Sequence, residues 1–205
     1  LLFKDTSDKI WMATSSFKGL YTLDEDTFNP VTMLDDFGDY IVSGMGQDSN
    51  GDIWIGLSEK GLVKFSNGKI TKVESGTYLD NTPTYEVYGD KSGTIWFGTQ
   101  KGIVIYKDGG FATYEGSKSI MNSTINKLFE DREGNIWVTT DSEGIGKISP
   151  GKFRMTVLDT GVNAICEDRS GNIWIGTDEG LMCYNNDMIR IHNDLTEACQ
   201  HTRIR

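Results

Sequence analysis

The amino-acid sequence predicts an all-β fold, a β-propeller of five four-stranded antiparallel blades. Three observations predict it: five copies of one short phrase, a repeat length near forty residues, and alternating apolar runs separated by turn residues. All tryptophans of the chain occupy the same slot of the phrase, and they are Trp11, Trp54, Trp96, Trp137 and Trp174. A period of about 40 residues with strand-like content is typical of propeller blades, whereas leucine-rich and helical-hairpin repeats are shorter.

The phrase that leads into each tryptophan is a turn signal with the pattern D-x-x-[GD]-x-I-W. An aspartate three residues before a glycine suits a type I turn, in which the carboxylate caps a backbone amide and the glycine takes a positive φ. Asp8 stands at the glycine position of the first copy, and aspartate tolerates that conformation at modest cost. The sequence therefore assigns a structural role to the aspartates of the phrase, which are Asp5, Asp48, Asp90, Asp131 and Asp168.

The strand that contains each tryptophan is apolar on both faces. In the second copy Ile53 and Ile55 share one face, and Trp54 occupies the other. Both faces must then be buried, as they are when each blade lies between two neighbouring blades. The residue two places after each tryptophan is small, which suits the close passage of a side chain from the next blade. We therefore interpret the tryptophans as wedges between blades.

We predict one domain, residues 1–205, with blades at about 1–36, 37–80, 81–120, 121–159 and 160–205. In the last blade the strands are expected at 162–166, 173–177, 181–184 and 188–192. The chain start, 1–5, resembles the end of the first strand at 127–131, and the chain end, 203–205, resembles its beginning at 124–126. Two arrangements fit this likeness of the chain ends to the two halves of a first strand. Either the five blades close into a ring, which removes free sheet edges, or the chain is part of a larger propeller.

The charge balance restricts the partners. The chain carries 20 Lys and Arg against 30 Asp and Glu, a formal net charge of −10. Nucleic acid and anionic membranes are bound through clustered basic residues, so we predict neither partner for this domain. No apolar run approaches the ~18 residues that span a bilayer as a helix. The three cysteines show no paired spacing, and we expect free thiols.

Loops at the mouth of the predicted propeller are the expected ligand-binding surface. The loops that enter first strands and those that join second to third strands lie together on one face of this architecture. Amide, aromatic and cationic side chains there suit hydrogen bonding to a sugar-like ligand or stacking on it. The candidates are Tyr40, Tyr85, Asn126, Asn163, Lys60, Lys101 and Arg203. The alternative for the asparagines is that they cap loop backbones.

Patterns for metal binding and catalysis are weak. The segment 48–52 resembles the start of a calcium loop, but its glycine is misplaced and no bidentate glutamate follows. His192, Cys199 and His201 do not have a standard zinc spacing. No G-x-S-x-G nucleophile motif occurs. We therefore predict no cofactor, no metal and no catalytic residue.

The composite phrase of the repeats, I-N-x-[IL]-x-E-D-x-x-G-N-I-W-I-G-T-x-x-G-L, is best developed at 162–181 and 125–145. It resembles the two-component regulator propeller repeat family. The resemblance implies seven-bladed propellers, often in tandem, in the periplasmic sensor region of hybrid two-component systems of gut Bacteroidetes-type bacteria, where they help to sense glycan fragments. It also implies a membrane segment, a histidine kinase and a DNA-binding response regulator elsewhere in the parent protein.

The expected function is therefore recognition rather than catalysis. We expect an extracytoplasmic sensor module that binds an oligosaccharide, contacts other domains of a sensor kinase and forms a homodimer. The first alternative is a lyase or glycoside-acting enzyme on a propeller scaffold, since streptogramin lyase propellers carry related G-x-I-W-F-T repeats. Their catalytic histidine has no identifiable counterpart among His192 and His201. The second alternative is a pure scaffold or dimerisation piece.

Overall fold

The computed structural model describes residues 1–14, 19–24, 26–33, 41–58, 61–80, 82–116, 120–150, 152–156, 158 and 160–204. The chain forms two compact units, residues 1–114 and residues 115–205. Each unit has its own buried apolar clusters. A single domain over residues 1–205 stays a prediction.

The first unit contains three four-stranded antiparallel sheets, which we call blades 1 to 3. Blade 1 consists of β1 (Leu2–Lys4), β2 (Ile10–Thr14), β3 (Gly19–Asp24) and β4 (Thr27–Met33). Blade 2 consists of β5 (Val42–Gln47), β6 (Ile53–Leu57), β7 (Gly61–Ser66) and β8 (Lys69–Val73). Blade 3 consists of β9 (Thr84–Gly89), β10 (Ile95–Thr99), β11 (Gly102–Lys107) and β12 (Gly110–Thr113).

The second unit contains two further sheets of the same kind, blades 4 and 5. Blade 4 consists of β13 (Ile125–Glu130), β14 (Ile136–Thr140), β15 (Ile145–Ser149) and β16 (Lys152–Thr156). Blade 5 consists of β17 (Val162–Glu167), β18 (Ile173–Thr177), β19 (Leu181–Tyr184) and β20 (Arg190–Ile191), and the helix α1 (Asp194–Ala198) follows it. Every sheet pairs its strands in sequence order, so the prediction of five four-stranded antiparallel blades is confirmed.

Each aspartate of the repeat phrase organises the turn between the first and second strands. Asp48 shows the pattern, because its Oδ1 accepts the backbone N–H groups of Asn50 and Asp52, and its Oδ2 accepts the indole N–H of Trp54. The indole–carboxylate bond recurs in all five blades at 2.8 to 2.9 Å. The carboxylate thus ties the turn to the tryptophan six residues later. In blade 1 Asp8 takes the glycine position with φ of 66°.

These hydrogen bonds determine how the turn carboxylates titrate. Bonds from Trp174 and Asn172 hold the pKa of Asp168 well below its ordinary value. Burial raises the pKa of Asp131, but bonds from Trp137 and Asn135 outweigh burial, so the pKa of Asp131 also lies below its ordinary value. Both turns are therefore most stable with the carboxylate ionised.

Tryptophans fill the space between blades within each unit. Trp54 of blade 2 is buried against blade 3, where its ring lies 5.9 Å from Phe97 and 4.5 Å from Tyr106, measured between centroids. Trp11 of blade 1 meets Phe65 of blade 2 edge-on at 5.2 Å. In the second unit the buried Trp137 of blade 4 packs in a cluster with residues of blade 5. Side chains of this size dominate the apolar area removed from water.

The small residues after the tryptophans make room for the next first strand. A Cβ built on Gly56 would lie 3.0 Å from Cγ2 of Val87, a residue of the neighbouring β9. In blade 5 a Cβ built on Gly176 would lie 2.7 Å from Cγ2 of Ile204. Any larger residue would push these packed side chains apart.

The chain end thus takes, against blade 5, the place that β9 takes against blade 2. Besides the contact of Ile204 with Gly176, the N–H of Ile204 donates to the carbonyl of Thr177 at 2.9 Å. This placement agrees with the likeness of the chain end to the beginning of a first strand. Closure of the chain into a ring stays a prediction.

Blade 5 departs from the sequence expectation at its outer strand. The expected strand at 188–192 is reduced to the two residues of β20, and α1 follows directly. The helix begins because the Asn193 side chain accepts the N–H of Thr196 while the Thr196 hydroxyl accepts the N–H of Asn193. This capping box satisfies two of the free donors of the first turn. The expectation of strand throughout this segment was therefore wrong.

Within the described ranges no helix is long and apolar enough to cross a membrane. The cysteines are free thiols, with Cys183 buried and Cys166 exposed.

Candidate functional site

A bulge interrupts the first strand of four blades at the same place. In blade 5 Val162 pairs with Thr177 and Ala164 pairs with Gly176, so Asn163 between them has no partner in the ladder. The bulged residues are Ser43, Tyr85, Asn126 and Asn163. Bulges redirect side chains and are frequent beside functional sites. Three of these four residues are candidates from the sequence.

A second polar residue accompanies each bulged residue, fifteen positions later, at the start of the turn between the second and third strands. We call the two residues an edge pair, and the edge pairs are Ser43 and Ser58, Tyr85 and Gln100, Asn126 and Asp141, and Asn163 and Asp178. The N–H of the second member bonds to the carbonyl just before the bulged strand at 3.0 to 3.2 Å in all four blades. One backbone bond therefore brings each pair to the same edge of its blade.

A threonine at the end of the second strand shapes the turn beside the edge pair. The Thr177 hydroxyl donates to the carbonyl of Gly180 at 2.9 Å and accepts the N–H of Glu179. Thr99 and Thr140 make the equivalent bonds in blades 3 and 4. Sequence reasoning missed this role, although threonine recurs three positions after Trp96, Trp137 and Trp174.

In blade 5 the edge pair is joined by the chain end. The Asn163 side-chain amide donates to Oδ1 of Asp178 at 3.0 Å and to the carbonyl of Ile204 at 3.2 Å. Nε of Arg203 donates to the same Asp178 oxygen at 2.7 Å. The Arg203 and Asp178 side chains are 54% and 48% exposed, so donors and acceptors of both remain open to a ligand. An amide, a carboxylate and a guanidinium thus meet at one solvent-facing edge.

The first unit presents different side chains at the equivalent edge of its own blades. Tyr85 is 37% exposed, and Lys101 lies exposed beside Gln100 with its N–H bonded to Thr99. The buried hydroxyls of Ser43 and Thr84 have no hydrogen-bond partner among the described residues. Most buried hydroxyls in proteins have a hydrogen-bond partner, so these two are exceptions.

The structure brings together only some of the residues that the sequence singles out. Asn163 and Arg203 share Asp178, which the sequence reasoning did not select. Among the described residues, no other two candidates share a hydrogen-bond partner. Tyr40 and Lys60 lie outside the described residues. Asp178 was missed because a lone acidic turn residue carries no signal until its neighbours across the chain are known.

Metal ligation finds no support in the described ranges, which contain no group of three or more His, Cys, Asp or Glu side chains placed to hold a metal ion. His201 has φ of 60°, and its N–H donates to the carbonyl of Glu179 at 2.7 Å. This backbone bond holds the segment after α1 against the turn between β18 and β19.

Comparison with protein families identifies the repeats of the second unit. Residues 119–142 and 156–179 match the two component regulator propeller model. Two of the five repeats of the chain therefore match this family model. Both matched segments include an edge-pair residue of the first strand and the tryptophan phrase, so the resemblance noted from the sequence is confirmed. A comparison with curated proteins found no match.

Solved structures share the fold at low sequence identity. The extracellular domain of BT4673 from B. thetaiotaomicron, assigned to a hybrid two component system, aligns over 95% of this chain and 33% of its own length, with TM-score 0.62 and 20% identity. Virginiamycin B lyase from Staphylococcus aureus aligns over 93% of this chain and 67% of its own, with TM-score 0.76 and 15% identity. PorZ of Porphyromonas gingivalis, a surface component of the type-IX secretion system, aligns over 94% of this chain and 33% of its own, with TM-score 0.70 and 15% identity.

These similarities show the fold and no more. The chain spans a third of the BT4673 domain and about two thirds of the lyase. A lyase, a sensor domain and a secretion component share this architecture, and a fold shared so widely does not determine activity. Function must therefore be argued from the edge of the blades.

Proposed function

We propose that this chain is a non-catalytic ligand-recognition module, the extracytoplasmic sensor part of a two-component signalling protein, and that its ligand is an oligosaccharide. The observation that carries the proposal is the match of residues 119–142 and 156–179 to the two component regulator propeller family. The similarity in fold to an extracellular domain assigned to such a system supports it. The parent protein would be membrane-anchored, with this module in the periplasm or outside the cell.

The edge pairs supply suitable recognition chemistry. Sugar hydroxyls both donate and accept, and Asn163, Asp178 and Arg203 together offer both functions within hydrogen-bonding distance of one another. In the first unit the exposed ring of Tyr85 offers a separate surface, on which the apolar face of a sugar would stack. Because a backbone bond holds each pair at the edge of its blade, little backbone order needs to be created on binding.

Signalling would follow from differential binding. A ligand at the edge pairs changes an equilibrium between arrangements of partner domains only if it binds one arrangement more tightly than another. Other domains of a sensor kinase and a second copy of the module are the partners that this mechanism uses. No nucleic acid contact is expected at this domain, in keeping with its net charge of −10.

Calorimetric titration of the 205-residue chain with a panel of neutral oligosaccharides tests the proposal. We expect at least one oligosaccharide to bind saturably. Asp178→Ala should lower its affinity by about tenfold or more, because Asn163 and Arg203 then lose the acceptor that they share. Arg190→Ala is the matched control, since Arg190 is exposed on the outer strand of the same blade. Equal binding by both variants would move the site away from the edge pairs.

The same titrations separate recognition from catalysis. Chromatography of each oligosaccharide after incubation should return it unchanged. Turnover that a single Asp, Glu, Tyr or His substitution abolishes would instead favour the lyase or glycoside-acting alternative. Self-association without affinity for any sugar would favour the scaffold alternative.

A further inference from the structure

A second polar site lies at the opposite end of the strands from the edge pairs of the second unit. It is a cleft of about 300 Å³ between blades 4 and 5, bounded by the β15–β16 turn and the β19–β20 turn. Its lining residues are Lys147, Ser149, Pro150, Lys152, Arg154, Asn186 and Asp187. We call it the blade 4 cleft. Three cations face one carboxylate there, in a chain whose net charge is −10.

The cations are placed by strand register. Lys147 of β15 lies directly opposite Arg154 of β16, and Lys152 is two residues before Arg154 on the same face of that strand. Like charges directly opposite each other in an antiparallel pair are destabilising. Among the described residues neither Lys152 nor Arg154 has an ion-pair partner. Packing alone therefore gives no reason for this arrangement.

Lys147 forms the floor of the cleft. The residue is 8% exposed, its Nζ lies 5.1 Å from the centre of the Trp137 ring, and Oδ2 of Asp131 is 3.7 Å away. Nζ also donates to the carbonyl and to the side-chain oxygen of Asn186. Because the Asn186 oxygen is used in this way, its NH₂ group is left as a donor at the cleft.

Blade 2 shows what the same positions look like without a cationic cleft. Lys64 stands opposite Trp54 as Lys147 stands opposite Trp137. However, Lys64 is neutralised by Asp52, with Nζ and Oδ2 2.7 Å apart, and the residue opposite Lys64 is Thr71. Blade 2 thus pairs its lysine with a carboxylate and keeps the facing position neutral.

Blade 4 keeps an ion pair between Lys147 and Asp131 but differs from blade 2 at two other positions. The counterpart of Asp52 is Asn135, a neutral amide that bonds to Asp131 and Ser149, and the counterpart of Thr71 is Arg154. One negative charge has been removed and one positive charge added beside a buried lysine. A bound anion would compensate this excess of positive charge.

We propose that the blade 4 cleft binds an oxyanion group, a sulfate, phosphate or carboxylate, carried by a small solute. Arg154 and Lys152 contact the anion, with Arg154 able to use two parallel N–H bonds. The Asn186 amide donates a further bond, and the buried Lys147 adds charge from below. The site is independent of the sugar recognition proposed for the edge pairs, because none of its residues belongs to them.

Calorimetric titration of the 205-residue chain with sodium sulfate, sodium phosphate and sodium acetate tests the proposal. Sodium chloride keeps the ionic strength constant, since screening alone changes surface electrostatics. We expect saturable binding of at least one anion. Acetate binding indicates a carboxylate solute, whereas binding of sulfate and phosphate without acetate indicates a tetrahedral ester group.

Arg154→Thr introduces the residue that blade 2 has at this position, and we expect it to weaken anion binding by about tenfold or more. Lys152→Gln should weaken binding as well. Lys69→Gln is the matched control, because Lys69 occupies in blade 2 the position of Lys152. In the absence of anion Arg154→Thr should leave the urea midpoint unchanged or higher, because it relieves repulsion with Lys147.

Two results would overturn the proposal. The first is that no anion binds saturably to the unmodified chain. The second is that Arg154→Thr and Lys69→Gln bind the anion equally well.

Discussion

The same tryptophan phrase occurs in all the blades, yet neighbouring blades are not held together in the same way. We compare the contact between blades 2 and 3, the first joint, with the contact between blades 4 and 5, the second joint. Between blades 2 and 3 the first strands approach through glycine, since a Cβ built on Gly44 would lie 2.4 Å from the backbone nitrogen of Val87. A Cβ built on Gly89 would lie 2.1 Å from the carbonyl oxygen of Gln47. Aromatic rings around Trp54 complete this joint.

Between blades 4 and 5 the equivalent positions carry side chains. Lys127, Phe129 and Glu167 stand where the first joint has Gly44, Gly46 and Gly89. Glu167 accepts the backbone N–H of Arg132 at 3.0 Å and pairs with its guanidinium at 3.1 Å. The repeat phrase therefore determines each blade, while the first strand determines whether neighbouring blades meet by backbone contact or by charged side chains.

The largest effect that separates the joints is expected from Gly44→Val. The new side chain must displace backbone atoms of β9, and overpacking of this kind should lower the free energy of unfolding by about 3 kcal/mol. Lys127→Val, at the equivalent position of blade 4, should lower it by less than Gly44→Val does, because that position already accommodates a long side chain. Urea unfolding measures both, with Gly110→Val as the control, because a Cβ there comes no closer than 3.9 Å to any neighbour. Equal losses for Gly44→Val and Gly110→Val would contradict the proposed close approach.

An intermediate effect is expected from Asp131→Asn in the turn of blade 4. Asp131 accepts bonds from Trp137 and Asn135 beside Lys147, so the amide should cost roughly 2 kcal/mol near neutral pH. The pKa of Asp131 is lower in the folded protein than its ordinary value, so the stability that it contributes is present above that ordinary value and is lost as the pH falls through the folded pKa.

Urea unfolding of the unmodified chain and of Asp131→Asn, at about pH 7 and about pH 3, measures this difference. The two proteins should differ most at the higher pH and converge as the carboxylate is protonated. A difference that does not depend on pH would show that Asp131 acts by shape rather than by charge.

The smallest effect is expected from Arg132→Gln. The Arg132 side chain is 53% exposed, and exposed ion pairs contribute at most about 1 kcal/mol. The loss should shrink in high sodium chloride, because salt screens the pair. Unfolding at low and high salt gives the measurement, and Arg190→Gln provides an exposed arginine in the same unit for comparison. A loss that stays constant with salt would assign the role of Arg132 to its bond with the carbonyl of Arg169.

The parts that could be read from the sequence are those that repeat. Asp48 and its equivalents recur at fixed spacing before the tryptophans in five copies, and this pattern predicted the turn that each aspartate caps. The bond from the Trp54 indole to Asp48 was not predicted and is a finding of the structure. Asn126 and Asn163 were selected for lying where a loop enters a first strand, and both are bulged residues. The signal for Thr177 was also present in the repeat but was not used.

Other features depend on pairing across the chain. The helix α1 was missed because the repeat pattern assigned the last strand to 188–192 and no element to the residues after it, where the capping box of Asn193 and Thr196 starts the helix. Asp178 joins Asn163 and Arg203 only after the chain end lies against blade 5.

By itself, the sequence determined the number of blades, the strand order within each blade and the capped turn before each tryptophan, because these follow from short-range patterns that five copies repeat. Only the tertiary structure decided which residues face each other between strands and between blades. The facing of Lys147 by Arg154 depends on strand register, and the backbone contact at Gly44 depends on how closely two sheets approach. Register and approach are set by the packing of many side chains at once, and no short segment of sequence encodes either.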